Sequence, residues 1–456
     1  MKLKYLCVAL MFFPFFGFTQ TTVEGDWTGQ LSFGGNSLDL NFMIYRDQGQ
    51  YKSTLSVPAQ SLMDYQSTQT ALVDSLLTIE IKPLGIKYQG QWKKTDTIVG
   101  NFVQNGMSLK LNLIRGNTKL KRPQEPLPPY PYEVEQITFE NKSAGIQLSG
   151  TLSLPKKEGR FPAVILISGS GPQDRNSYIM GHKPFLLLAH ELTQQGIAVL
   201  RFDERGVGRS EGDFQKASLD DFLEDVKSGF KYLQNRDEID TKNIGLLGHS
   251  LGGIIAPRLA TSEDVAFLVL LAAPGVDGNQ LMLKQRADFL ELRGMTATQI
   301  KKSNEMYSAT YDYILSTDAA GEELETGLMQ FYKENYADVM MEKELMALIE
   351  QLTTKELLGL IRNRPSSYLS MVKCPVLAIG GTRDFQVSSS ENLEALKLEI
   401  ENGGNTQVEV HEFEGLNHLL QESETGDISE YGVIEQTMSP KVLELIKSWM
   451  IGISSN

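Results

Sequence analysis

From residue 25 to residue 115 apolar and polar positions alternate with a period of two, and turn-forming residues punctuate the pattern. The stretch "LDLNFMIYRDQGQYKSTLSV" reads as a hairpin around Asp47 to Gln50, and "SLLTIEIKP", "IKYQGQWKKTDTIVGNFVQ" and "MSLKLNLIR" continue it. No helical period interrupts these strands, so residues 21–115 are predicted to form a small all-β domain, a barrel or a sandwich. Five prolines between 123 and 131 then predict an extended, semi-rigid connector over 116–131. From 132 onward the period changes. Two strand-like runs lead into the apolar "FPAVILIS", after which strands such as "IAVLRFD", "NIGLLG" and "AFLVLLAAP" alternate with amphipathic helices. Short, continuously apolar strands between helices indicate a mostly parallel sheet covered on both faces. Behind Ser218 as N-cap, Leu219, Phe222, Leu223, Val226, Phe230 and Leu233 fall at helical spacing and read as core. The alternation stops over 277–370, where a helical insertion with seven methionines predicts a cap subdomain. It resumes with "CPVLAIGG", a helix, "TQVEVHEF" and a C-terminal helix.

Composition narrows the class. The 456 residues are 41% hydrophobic and 22% charged, ordinary for a globular chain. A net charge of −14 argues against nucleic acid as a partner and provides no attraction to anionic lipid. Residues 1–20, "MKLKYLCVALMFFPFFGFTQ", have the layout of a signal peptide: two lysines, an apolar run broken by Pro14, then polar residues. Cleavage is expected near Gln20, with a secreted or periplasmic product of net charge −16 and no stable membrane insertion. An uncleaved N-terminal anchor is the alternative. Cys7 falls in that segment, which leaves Cys374 with no intramolecular disulfide partner, a buried structural thiol by expectation.

The candidate chemistry centres on "NIGLLGHSLGGIIAPRLA", residues 243–260. A buried parallel strand and a helix flank Gly248-His249-Ser250-Leu251-Gly252, so Ser250 is predicted on a sharp strand-to-helix turn at the carboxyl end of the sheet. Small residues two before and two after the serine are what such a turn demands. A serine hydroxyl needs a base, and the chain has five histidines. His182 and His190 precede the serine. His249 is the variable residue of the turn, and His411 lies inside a strand. His418, in "FEGLNHLL", follows the last strand and is the expected base. Asp384, on the loop after "VLAIGG", is the expected orienting carboxylate, with Asp277 as its rival. The oxyanion donors are expected to be the Leu251 amide and the Ser170 amide, with Gly171 second to Ser170. Asp174 and Arg175 are read as a pair supporting that loop. Asp203 and Glu204 are read as each forming a salt bridge in the "DERG" loop, the alternative being an acidic subsite for the free amine of a peptide substrate. No cluster has metal-ligand spacing, and no cofactor is implied.

With these residues in place the chain from 132 to 456 resembles the α/β-hydrolase superfamily in the order "ISGSG", "DERGVGRS", "GHSLGG", "GGTRD" and "GLNH". "SGSGPQDRN" with "FDERGVGRSEG" resembles secreted bacterial esterases related to serine aminopeptidases and monoacylglycerol-lipase-like enzymes. One departure is Ser168, where many relatives carry a histidine. "EGDWTGQL" resembles the strand-opening G-x-W of lipocalin-type barrels, with Trp27 as a core plug. The β-domain resembles an accessory of secreted bacterial hydrolases. The resemblance implies an α/β-hydrolase fold, a mostly parallel sheet with helices on both faces and a helical cap insertion, behind a small all-β barrel-like domain. It implies a carboxylesterase acting on small-molecule esters of short-to-medium acyl groups. The cap's Met, Leu and Tyr residues would line an acyl pocket or fill the cap's own core. The alternatives are an aminopeptidase acting on short peptides and a non-catalytic glycan- or lipid-binding protein.

Overall fold

The computed structural model describes residues 22–33, 36–57, 62–93, 96–116, 122–337 and 340–454. The expected signal peptide and residues 117–121 of the connector lie outside the described residues. The chain divides into two compact units between Lys119 and Leu120.

The first unit carries strands β1 (Gly25–Phe33), β2 (Asn36–Asp47), β3 (Gln50–Val57), β4 (Leu62–Gln66), β5 (Gln69–Val73), β6 (Leu76–Ile81), β7 (Ile86–Trp92), β8 (Thr97–Gln104) and β9 (Met107–Arg115). Among the described residues they form one antiparallel sheet in the order β4-β3-β2-β1-β9-β8-β7-β6-β5. The sheet curls, because the Ser67 N–H donates to Ser53 O at 2.9 Å and Ser53 Oγ meets Thr70 Oγ1 at 2.7 Å. Those contacts tie β3 to β5 from opposite ends of the strand order. The period of two has the expected result: on β7 Ile86, Tyr88 and Trp92 point inward while Gln89 and Gln91 face water. Trp27 is fully buried, its indole N–H donates to Val23 O at 2.7 Å, and the Arg115 guanidinium lies 4.4 Å from its ring centre.

The second unit carries β10 (Glu133–Asn141), β11 (Ile146–Leu154), β12 (Phe161–Ile167), β13 (Ala198–Phe202), β14 (Ile239–His249), β15 (Leu268–Leu271), β16 (Val376–Gly381) and β17 (Val408–Phe413). They form one sheet in the order β10-β11-β13-β12-β14-β15-β16-β17. The first two pairings are antiparallel and the rest parallel. Among the described residues its helices are α1 (Pro184–Gln194), α2 (Leu219–Gln234), α3 (Gly252–Ala260), six in the insertion, α4 (Gly278–Leu292), α5 (Ala297–Leu315), α6 (Glu322–Asn335), α7 (Glu342–Leu352), α8 (Lys355–Ile361) and α9 (Ser366–Leu369), then α10 (Ser389–Asn402), α11 (Ile428–Tyr431) and α12 (Pro440–Ser454). The central strands read as unbroken apolar runs because each face meets its own helices. Ala163, Ile165 and Ile167 of β12 pack with Val226, Phe230 and Leu259 on one side. Val164 and Leu166 pack with Leu188, Leu192, Val442 and Ile446 on the other. Ser218 caps α2 as expected: its Oγ accepts from the Asp221 N–H at 3.3 Å, and the Asp221 carboxylate accepts from the Ser218 N–H at 2.9 Å.

Most of the insertion's apolar side chains fill its own core, around Tyr311, Ile314, Leu324, Leu328 and Tyr332. The connector is less of a free spacer than its prolines suggest. Arg122 donates to the carbonyls of Met180, Gly432 and Ile434 at 2.9–3.0 Å, and Gln124 donates to Met438 O at 2.7 Å. These carbonyls hold this stretch on the second unit. Among the described residues no helix is long and apolar enough to cross a membrane.

Candidate active site

β14 ends at His249 and α3 begins at Gly252. Between them Ser250 has a φ of 54°, the left-handed region that a β-carbon disfavours. Holding a non-glycine residue there costs about 1–3 kcal/mol, which the surroundings must offset. The Ser250 N–H donates to Leu271 O at 2.9 Å, fastening the turn to β15. The flanking glycines are needed for space: a β-carbon on Gly248 would lie 2.2 Å from Gly252 O, and one on Gly252 would lie 2.2 Å from Ile167 O.

Ser250 and His418 line one cavity of about 180 Å³, together with Gly169, Ser170 and Leu251. Asp384 stands behind the histidine, with Oδ2 2.7 Å from His418 Nδ1. Its other oxygen accepts the N–H groups of Gln386 and Val387, both at 2.9 Å. The carboxylate is buried and fully bonded, so it fixes the imidazole with Nδ1 protonated and leaves Nε2 to the cavity. Among the described residues, neither the Leu251 N–H nor the Ser170 N–H is taken by another group. The Gly171 N–H is taken, by Glu356 Oε1 of α8 at 3.1 Å.

The other titratable candidates fall elsewhere. Asp277 precedes α4 and faces Arg364 at 3.5 Å. His411 is half exposed on β17 beside Glu409. The His182 ring is buried between Thr437 and the Tyr431 carbonyl, and burial pushes its pKa down to about 4. His190 contacts Tyr132. His249 donates from Nε2 to the carbonyl of His418 at 2.9 Å, with the two ring centres 4.8 Å apart. Burial, and second the neighbouring His418, push its pKa down to about 3. His249 is therefore a neutral strut under His418. The Cys374 thiol is pushed up to about 12 by burial, which keeps it out of thiolate chemistry.

Two pairings differ from those expected. Arg175 bonds Asp203, at 2.6 Å, and not Asp174, whose carboxylate accepts the N–H groups of Asn176 and Tyr178 at 3.0 Å. Asp203 is nearly buried and reachable from Arg175 by two parallel bonds, the stronger arrangement. Glu204 makes no salt bridge among the described residues. It accepts from Ser168 Oγ at 2.7 Å and from the Gln173 N–H at 2.9 Å, spanning the loop that carries Ser170. Burial pushes its pKa up to about 8. Ser168 stood out in the sequence only as a departure from the resemblance, and its partner Glu204 was not expected there. Glu356, on an insertion helix without a motif, had none.

A second cavity of about 270 Å³ adjoins the first, with Met282, Gln285 and Gln386 in both walls. Its remaining lining includes Arg286, Phe289, Tyr307, Tyr311 and Phe385. Among the described residues no group of His, Cys, Asp and Glu side chains could hold a metal ion.

The family model described as serine aminopeptidase S33 matches residues 183–425, just over half of the chain, with Ser250, Asp384 and His418 inside the match. The chain belongs to the serine aminopeptidase S33 family. It is an enzyme, a serine hydrolase with the α/β-hydrolase fold. Esterase EstD of Thermotoga maritima is 27% identical over 328 residues, 71% of this chain and 70% of that protein. The mitochondrial palmitoyl-protein thioesterase ABHD10 of Homo sapiens is 29% identical over 170 residues, 36% of this chain and 51% of that protein. A crystal structure of the Pyrococcus furiosus esterase Pf2001 superposes with a TM-score of 0.44 at 16% identity, covering 74% of this chain and 98% of that one.

Proposed function

We propose that this S33-family hydrolase is a carboxylesterase that works through an acyl-enzyme on Ser250. Ser250 Oγ attacks the ester carbonyl carbon while His418 Nε2 takes its proton. Asp384 holds the opposite ring nitrogen and stabilises the imidazolium. The Leu251 and Ser170 amides receive the developing oxyanion. The tetrahedral intermediate collapses as the alcohol oxygen leaves with the proton from His418. Water then attacks the acyl group by the same route, releasing the acid and restoring Ser250.

The choice of ester over peptide rests on one observation: among the described residues no acidic side chain lines either cavity. An aminopeptidase must hold its substrate's ammonium, and a buried cation needs a carboxylate partner. Asp203 is spent on Arg175, and Glu204 on Ser168 and Gln173. The apolar walls and modest volumes favour short-to-medium acyl groups. We further propose that residues 1–20 direct export, giving a secreted or periplasmic enzyme. Turnover of p-nitrophenyl esters and aminoacyl p-nitroanilides, measured side by side with labelling by a fluorophosphonate, tests the reading. Expected are ester turnover with weak anilide turnover, and labelling lost in Ser250→Ala. Efficient anilide cleavage without ester cleavage would overturn it.

A further inference from the structure

The chain carries 57 acidic residues in 456, yet among the described residues the two adjoining cavities have none in their walls. They have one guanidinium, Arg286 of α4. Its plane is set by Tyr307, whose ring centre lies 3.6 Å from the guanidinium carbon, and by Nε, which donates to Ser303 Oγ at 3.0 Å. No carboxylate pairs with it among the described residues. The nearest acid on its own helix, Asp288, is held by Lys284 at 2.5 Å. The two terminal nitrogens are therefore free to donate. A cation stacked and oriented without a counter-ion, in a pocket whose other lining is apolar or neutral, with Phe289, Phe385, Tyr311 and Gln351 among it, is suited to an anion that arrives with the ligand.

The two cavities share a wall. Met282 and Gln285 line both cavities, and Arg286 follows one turn beyond Met282 on the same helix, about 6 Å along the axis. Of the two groups of an ester, the acyl chain is the one that stays bonded to Ser250 after the alcohol leaves, and it is the one assigned to the path along α4.

We propose that the outer cavity is a carboxylate subsite, with Arg286 as counter-ion for an acid at the far end of an apolar acyl chain. This names the substrate class of the ester-cleaving reading and rests on it: esters of α,ω-dicarboxylic acids with one acid left free. Gln285 and Gln386, at the boundary of the two cavities, supply neutral hydrogen-bonding groups beside the path and place no negative charge on it.

The test compares three substrates of equal length, p-nitrophenyl hydrogen suberate, p-nitrophenyl octanoate and p-nitrophenyl 8-aminooctanoate. Expected for the unmodified enzyme is kcat/KM about tenfold or more in favour of the suberate over the octanoate, the scale of one charge-assisted bonded pair. The aminooctanoate should be the poorest. Arg286→Gln should abolish the suberate-to-octanoate preference, and Arg286→Lys should restore part of it. Fluorophosphonate labelling of Ser250 in each variant reports that the site is folded. An equal ratio in the unmodified enzyme and labelled Arg286→Gln overturns the subsite while leaving the esterase reading intact. If no ester is turned over, that reading falls, and calorimetric titration with monomethyl suberate and the uncharged methyl octanoate decides the subsite alone. Tighter binding of monomethyl suberate, lost in Arg286→Gln, upholds it; equal binding overturns it.

Discussion

At the scale of single residues the site depends on groups that touch no reacting atom. Glu204 bridges Ser168 and Gln173 across the loop that presents the Ser170 amide. Burial raises its pKa to about 8 from the ordinary 4.5, so between those values the folded chain keeps a proton that the unfolded chain has released. Stability therefore falls as pH rises through that window. Glutamine reproduces the protonated side chain, accepting from the Gln173 N–H while its amide faces Ser168. Glu204→Gln should flatten the decline of Tm between pH 5 and pH 8 and keep turnover within a few-fold. Glu204→Ala should lower kcat by about ten- to a hundredfold, because the oxyanion donor is no longer held in place. Melting curves across that pH range and kcat for one ester check both. Parallel Tm profiles for the unmodified enzyme and Glu204→Gln would refute the assignment.

At the scale of elements the strand-to-helix turn is the most constrained piece of the second unit. Ser250 at φ 54° is tolerated because β15 holds its N–H and Gly252 lets α3 approach Ile167. A methyl group on Gly252 has a carbonyl oxygen at 2.2 Å and no flexible neighbour to displace. Gly252→Ala should destabilise the fold by about 1–3 kcal/mol, the usual cost of overpacking, and reduce fluorophosphonate labelling of the protein that remains folded. Elements of this kind were legible in the sequence because their chemistry is local. The apolar runs on β12, β14 and β16, the cap at Ser218 and the glycines around Ser250 each state their environment within a few residues. The partners of charged groups were not. Arg175 has Asp174 next to it in sequence, but Asp203 comes to it through the pairing of β12 with β13. The insertion announced helices, yet which face of α4 borders the cavity depends on how those helices pack on one another, and no motif records that.

At the scale of the whole molecule two units carry separate cores, one around Trp27 and Tyr88, the other in two layers about the mostly parallel sheet. Trp27→Ala removes a fully buried indole from the first of these, so it should cost that unit about 3–5 kcal/mol. Calorimetry should show a low-temperature transition moving down while ester turnover at 25 °C persists, and joint loss of both units would contradict their independence. The hydrogen bond from the Gly171 amide to Glu356 has a different reach. Its acceptor sits on α8 of the cap and its donor on the loop beside the Ser170 amide. It makes one fastening common to both, so a substitution that shifts α8 also changes what holds the loop. The loop beside the oxyanion site is thus braced from two directions, by Glu204 within the sheet's own loops and by Glu356 from the cap.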